Sequence, residues 1–216
     1  MSSRFYDDRE YWAWKFEGKL WKQGYRYIAG VDEAGRGALC GPVVAAAVIF
    51  KEPFEGWEVI RDSKKLKPIN RFRCYTKIIR NSLNVSIGLA NSIEIDKINI
   101  RNATHKAMIR ALENLVIKPE VAIIDGNSIP THDTEMQCIV KGDERVVSIA
   151  AASIIAKVYR DCLMCEYAKE YPKYGFDKHK GYGTYEHINK IKEIGITPWH
   201  RLSFKDMQIL KDNLFI

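Results

Sequence analysis

Residues 27–50 read YIAGVDEAGRGALCGPVVAAAVIF: an apolar run, two adjacent carboxylates, a glycine loop around one arginine, and a second apolar run. Tyr27, Ile28, Ala29 and Val31 have the content of a buried strand. Asp32 and Glu33 follow at its end, where burying charge is tolerable only with a bound cation or a proton. Side chains alternate along a strand, so Asp32 and Glu33 would face opposite sides of regular β structure and could serve one site only if the strand ends there. Gly35 and Gly37 let the backbone turn and approach a ligand closely. A phosphate-cradling dinucleotide or P-loop reading fails on spacing. The glycines fall at 35, 37 and 41, too wide for G-x-G-x-x-G; no Gly-Lys-Ser/Thr follows; and Pro42 leads into a strand over 43–50 instead of a helix. Two carboxylates would also repel a bare pyrophosphate, an objection that a metal bridging carboxylates and phosphate removes.

A chain of 216 residues with 46% hydrophobic content is long enough for one domain with a sizeable core. Its net charge of +7 suits a polyanionic partner and equally an ordinary basic protein. Cys40, Cys74, Cys138, Cys162 and Cys165 are odd in number, lack the spacing of a disulfide framework and follow no secretory apolar segment, so a reducing cytoplasm is expected. The C-x-x-C at Cys162 and Cys165 lies inside a helical pattern with no second pair, which reads as core or chance rather than zinc or redox chemistry. No apolar stretch approaches the roughly 20 residues needed to span a bilayer.

In chain order, residues 1–26 place Tyr11, Trp14 and Gly18 or Trp21 near helical spacing, which predicts a helix packed on the domain and ended by Gly24. A loop with Pro53 and Gly56 precedes Asp62-Ser63-Lys64-Lys65-Leu66, and Pro68 opens a helix to about Leu83. Lys64 and Lys65, just before that helix, suit a phosphate contact or a solvated face. Residues 84–91 alternate as a third strand, and helices are expected over 93–98 and 101–116 with Asn99 and Asn102 at their boundary. Residues 120–124 form another buried run ending in an acid, Asp125, which is a site position at a strand's carboxyl end or the opener of a tight turn. A short strand over 136–140, the turn Lys141-Gly142-Asp143 and an alanine-rich helix over 146–167 follow. Ser148, Ser153 and Lys157 read as packing or supporting residues of that helix. Residues 171–187, YPKYGFDKHKGYGTYEH, combine glycine, aromatic and basic residues as a nucleic-acid contact loop does. A helix over 185–194 and a final one after Thr197-Pro198-Trp199-His200-Arg201 complete the chain.

GVDEAGRG resembles the signature of the type 2 ribonucleases H, the ribonuclease HII family. Similar motifs follow in family order over residues 25–205: GPV, DSKKL, IDGN, KGD, SIAAASIIAKVYRD, YGFDKHKGYGT and HRLSF. Ala38 departs from the pattern, standing where the family usually has proline. The resemblance implies an α/β, ribonuclease H-like fold, a mixed central sheet flanked by helices with a helical C-terminal region. The expected division is an N-terminal helical extension (1–25), a catalytic domain (26–170) and a C-terminal region carrying the tyrosine loop (171–216).

The resemblance also implies endonucleolytic hydrolysis of the RNA strand of RNA–DNA hybrids, and cutting 5′ of ribonucleotides embedded in duplex DNA, leaving 3′-hydroxyl and 5′-phosphate ends. By the same resemblance Asp32, Glu33, Asp125 and Asp143 are the catalytic metal ligands, and clustered carboxylates suit hard Mg²⁺ or Mn²⁺. Gly35, Arg36, Gly37, Ser63, Lys64, Lys65, Lys180 and Tyr182 are implied to hold substrate, with Tyr182 and the Gly35–Gly37 loop reading the 2′-hydroxyl. The expected partners are hybrid duplex and ribonucleotide-containing DNA, with no membrane. The tail QILKDNLFI resembles a sliding-clamp-binding peptide, with Lys211 where that motif takes an aliphatic, so a weak clamp contact is expected, and the chain is expected to be a monomer. Two other readings share features of this pattern. Another metal-dependent nuclease or nucleotidyl-transferring enzyme of the same fold would share the acids but not the loop and tyrosine, and a non-catalytic duplex binder would have no reason to gather four acids.

Overall fold

A computed structural model describes residues 14–60 and 66–214, with side chains described through residue 210. Its centre is one five-stranded sheet in the order β3-β2-β1-β4-β5. The strands are β1 (Ile28–Ala34), β2 (Val43–Ile49), β3 (Asn84–Ala90), β4 (Val121–Asp125) and β5 (Glu135–Ile139). The β1–β2 and β2–β3 pairs are antiparallel, whereas β4 lies parallel to both β1 and β5. This is the mixed sheet implied by the resemblance.

Helices cover both faces because β2, VVAAAVI, is buried at every position. On one face Val44, Ala46 and Val48 meet α2 (Pro68–Asn81) and the long α4 (Val147–Glu170). On the other, Val43, Ala45 and Ala47 meet α3 (Ser92–Glu113). Small residues bring α4 close: a Cβ on Gly30 of β1 would overlap the backbone of Ser148 and Ile149. The two helices expected over 93–116 are joined end to end as α3, with a non-helical Asn99 (φ 65°, ψ 163°) at the kink. The Asn99 side chain accepts from the Asn102 N–H at 3.1 Å, starting the second half as an N-cap does.

The described portion of the N-terminal segment is the short helix α1 (Lys15–Lys22), which packs on the body as its aromatic spacing predicts. Trp14 is fully buried beside Phe50 and Phe54, while Tyr11 lies outside the described residues. At the other end, α5 (Phe176–His179), α6 (Tyr185–Ile194) and α7 (Lys205–Leu214) bury Phe176, Ile191 and Met207 against Leu39, Cys40 and Met164. The C-terminal helices therefore rest on the segment that follows the glycine loop. All five cysteines are free. Among the described residues no helix is long and apolar enough to cross a membrane.

Candidate active site

Asp32 and Glu33 do not end their strand. β1 continues through both to Ala34 with β2 still opposite, Asp32 against Ala46 and Glu33 against Ala45, which corrects the expectation that the strand stops at the acids. What stops is the pairing on the other side. The last β1–β4 rung is Val31 with Ile124, so the parallel strands diverge at the next residues, Asp32 and Asp125. A site can thus open at the carboxyl end of the parallel pair, the usual place for one in such sheets.

Alternation then sends the two β1 acids to different walls of that opening. Asp32, 4% exposed, turns toward α4, where Ser153 hydrogen-bonds its carboxylate, and it also accepts from the Glu33 N–H at 2.6 Å. Glu33 turns toward α3 and shares a small cleft with Asp125, Arg36 and His105. Asp125 Oδ1 accepts from the Gly142 N–H at 2.6 Å, which ties down the turn carrying the buried Asp143. Three separate segments therefore deliver the four acids named from the sequence.

The electrostatics are those of a crowded anionic pocket. Burial, then the charges of Glu33 and Asp125, hold Asp32 well above the usual carboxylate range. Burial raises Glu33 as well, moderated by the Arg36 guanidinium, whose Nη1 lies 3.3 Å from Glu33 Oε1. Among the described residues no three acidic, histidine or cysteine side chains already surround one cation position.

The Gly35–Gly37 loop lies at the rim, and two buried arginines hold it. Arg160 of α4 donates to the carbonyls of Pro42, Cys40 and Lys180 at 2.9 to 3.0 Å. Gly35 has a left-handed φ of 92°, and a Cβ there would overlap the Arg160 side chain. Arg201 donates to the carbonyls of Gly41 and Arg36, both at 2.9 Å. Gly37 differs: its φ is not positive, and a Cβ there would meet nothing within 4 Å. Among the described residues nothing accepts from the backbone N–H of Arg36 or Gly37, and both residues are exposed. The Tyr182 ring flanks the loop's support, with Arg160 Cζ 5.4 Å and Lys157 Nζ 5.4 Å from its centroid.

The predicted Ser63, Lys64 and Lys65 lie outside the described residues. The Lys180 ammonium donates to the Asp177 carbonyl at 2.6 Å and to Cys165 Sγ at 2.9 Å, so it would have to leave both to meet a phosphate. Sequence reading gave Arg160, Arg201, His187 and His200 no individual roles, although all four are buried. Arg160 did carry a signal: it stands four residues from Ala156 and from Met164, on a helix stripe that is otherwise buried and apolar.

Comparison with known proteins bears on most of the chain. A family model described as Ribonuclease HII matches residues 29–207. The chain is a member of the ribonuclease HII family. It is 48% identical over 203 residues to the ribonuclease HII of Caldicellulosiruptor bescii, covering 93% of this chain and 96% of that one. It is 49% identical over 197 residues to the ribonuclease HII of Thermotoga maritima, covering 91% and 81%. Among solved structures, the ribonuclease H2 of Pyrococcus horikoshii OT3 superposes with a TM-score of 0.74 at 25% identity, covering 88% of this chain and 99% of that one. The ribonuclease HII in the PCNA complex from Archaeoglobus fulgidus shares the fold, with a TM-score of 0.70 at 24% identity and coverage of 83% and 95%. Membership in the ribonuclease HII family makes this protein a nuclease, a hydrolase of the ribonuclease H class.

Proposed function

We propose that the protein hydrolyses the RNA strand of RNA–DNA hybrids and cuts 5′ of single ribonucleotides in duplex DNA, leaving 3′-hydroxyl and 5′-phosphate ends. The observation that carries this reading is the junction of Asp32 and Asp125, where the β1–β4 pairing ends beside a loop with two N–H groups that meet no acceptor among the described residues. The donor set fits a divalent cation. All four groups are carboxylates, which suits Mg²⁺ or Mn²⁺, and the buried Asp32 carboxylate is repelled by Glu33 and Asp125, a repulsion that a bound cation would offset. Asp32, Glu33, Asp125 and Asp143 would hold such ions. Mg²⁺ typically takes only one or two protein carboxylates and completes its shell with water and substrate phosphate, so the four acids need not all bind one ion. When bound, the cations would supply charge neutralisation on the phosphodiester and an activated water.

The remaining residues bind and select. The N–H groups of Arg36 and Gly37 can donate to a sugar hydroxyl or a phosphate oxygen, and glycine at 37 leaves that approach open although packing does not require it. Tyr182 provides a ring and a hydroxyl beside Arg160, the residue packed under the loop. We assign it the discrimination of ribose from deoxyribose together with Gly35–Gly37. Lys64, Lys65 and Lys180 are assigned to backbone phosphates, and the C-terminal tail to a weak sliding-clamp contact. Incubating the protein with duplex DNA carrying one ribonucleotide, with and without Mg²⁺, tests the reading. We expect Mg²⁺-dependent cleavage on the 5′ side of that nucleotide, and an intact duplex in both arms would refute it.

A further inference from the structure

The loop and Tyr182 come from segments about 145 residues apart in sequence, yet they can read one sugar only if their relative position is fixed. The dipeptide His200-Arg201 spans them. The His200 backbone bridges Cys40, and the flanking bonds Gly41 N–H to Trp199 O (2.8 Å) and Arg201 N–H to Leu39 O (2.9 Å) seat it on the chain leaving the loop. The His200 imidazole points the other way. Its Nε2 lies 3.1 Å from His187 Nε2, and His187 Nδ1 lies 2.9 Å from the Tyr182 carbonyl oxygen.

The proton positions in this chain follow from its ends. The Thr197 backbone N–H can only donate, and it points at His200 Nδ1 at 2.8 Å, closer than the Thr197 carbonyl oxygen at 3.3 Å, so that nitrogen accepts. The His200 proton therefore sits on Nε2 and is donated to His187 Nε2. This leaves the His187 proton on Nδ1, donated to the Tyr182 carbonyl. Each bond fixes the next, and the set is complete only with both rings neutral. His179 stacks on His187 at 4.4 Å between ring centroids and accepts from the Gly181 N–H at Nδ1, holding the residue before the tyrosine as well.

We propose that His187 and His200 are positioning residues, a tautomer-locked relay from the glycine loop to the Tyr182 backbone that sets the height of the tyrosine against the loop and so the selection of ribonucleotides. This rests on the assignment of Tyr182 given above, and it adds that the tyrosine needs a specific donor at its carbonyl. Asparagine and glutamine separate that requirement from mere packing. At position 187 an asparagine amide lies near the Nδ1 place and can still donate to Tyr182, whereas a glutamine amide lies near the Nε2 place and cannot. At position 200 the preference reverses, since only glutamine keeps the donor toward His187.

The test is steady-state cleavage of duplex DNA carrying one ribonucleotide by His187→Asn, His187→Gln, His200→Gln and His200→Asn, each with Tyr182 intact and in a Tyr182→Ala background. We expect His187→Gln and His200→Asn to lose about tenfold or more in kcat relative to their partners at the same position, with KM little changed. We also expect that difference to vanish when Tyr182 is alanine, because coupled residues are not additive. Equal losses for both amides, or losses that persist in the Tyr182→Ala background, would overturn the relay while leaving the tyrosine's role standing. Wild-type cleavage by Tyr182→Ala alone would overturn the tyrosine's role and the relay with it. Nitrogen-15 spectra of the wild-type imidazoles provide a measurement independent of any variant's folding. Protons on His187 Nδ1 and His200 Nε2 are expected, and any other tautomer pair overturns the relay.

Discussion

Asp32 and Asp125 occupy the first positions beyond the last paired rung of β1 and β4, and the Asp125 charge acts on the buried Asp32 carboxyl from the neighbouring strand end. A proton or cation stabilises that arrangement, and a second bare negative charge opposes it. Because Asp32 is raised above its ordinary value, the folded protein holds a proton there that the unfolded chain releases. Metal-free stability should therefore fall as pH rises from the usual carboxylate range through the raised value. Asp32→Asn should remove that dependence, raise metal-free stability at pH 8 by about 1–2 kcal/mol, or roughly 2–8 °C, and abolish cleavage. Thermal melts of chelator-treated protein at pH 5 and pH 8 check this, and an unchanged melting temperature would reject the electrostatic account.

Gly35 and Gly37 should respond oppositely to alanine. At 35 the backbone is left-handed and the new methyl meets Arg160, whose guanidinium cannot move without breaking three bonds to Pro42, Cys40 and Lys180. A loss of about 2–4 kcal/mol is expected in urea unfolding. At 37 the methyl enters open space, so stability should stay within about 0.5 kcal/mol while cleavage drops about tenfold or more. Full activity in Gly37→Ala would mean that substrate does not approach this face of the loop.

The histidine pair gives the protein a weakness to mild acid. Burial pushes His187 and His200 each down to about 4, against an unfolded value near 6.5. Between those values the unfolded chain binds protons that the folded one refuses. Their contribution is complete above about pH 6.5 and is lost as pH falls toward 4, at about 1.4 kcal/mol per pH unit for each histidine. Unfolding free energies at pH 6.5 and pH 5 should show a smaller drop in His200→Gln than in wild type, and parallel curves would exclude the effect.

Apolar runs interrupted by acids revealed β1 and β4 in the sequence, and the Asn99 boundary was legible because asparagine starts helices and tolerates positive φ. The true shape of the acid pair was not legible. Where pairing with β4 stops depends on a partner about ninety residues away, and no local pattern at Asp32 reports it. Tyr182 was singled out by the resemblance of its motif, but the residues packed around it were not. His187 and His200 matter through side-chain geometry across a loop, and Arg201 through two backbone carbonyls, none of which leaves a periodic trace.

Glu17 shows the same kind of long-range dependence and supplies the last prediction. The first turn of α4 begins at Val146, which offers no capping side chain, so its N–H groups need an acceptor from elsewhere. Glu17 of α1 provides it: one carboxylate oxygen, Oε1, accepts from both the Ser148 N–H and the Ser148 hydroxyl at 2.9 Å. Burial raises its pKa, and among the described residues its other oxygen has no hydrogen-bond partner, so the carboxylate is retained at an electrostatic cost. Glu17→Ala should cost about 2–3 kcal/mol by leaving buried donors unmatched at a helix start. Glu17→Gln keeps an acceptor and removes the charge, so it should cost less than half as much. Because α4 also carries Ser153 beneath Asp32 and Arg160 beneath the loop, the alanine variant should lose cleavage at temperatures where it is still folded. Denaturant midpoints and cleavage rates for the two variants check both points, and an alanine variant as stable as wild type would show that α1 does not cap α4 in solution.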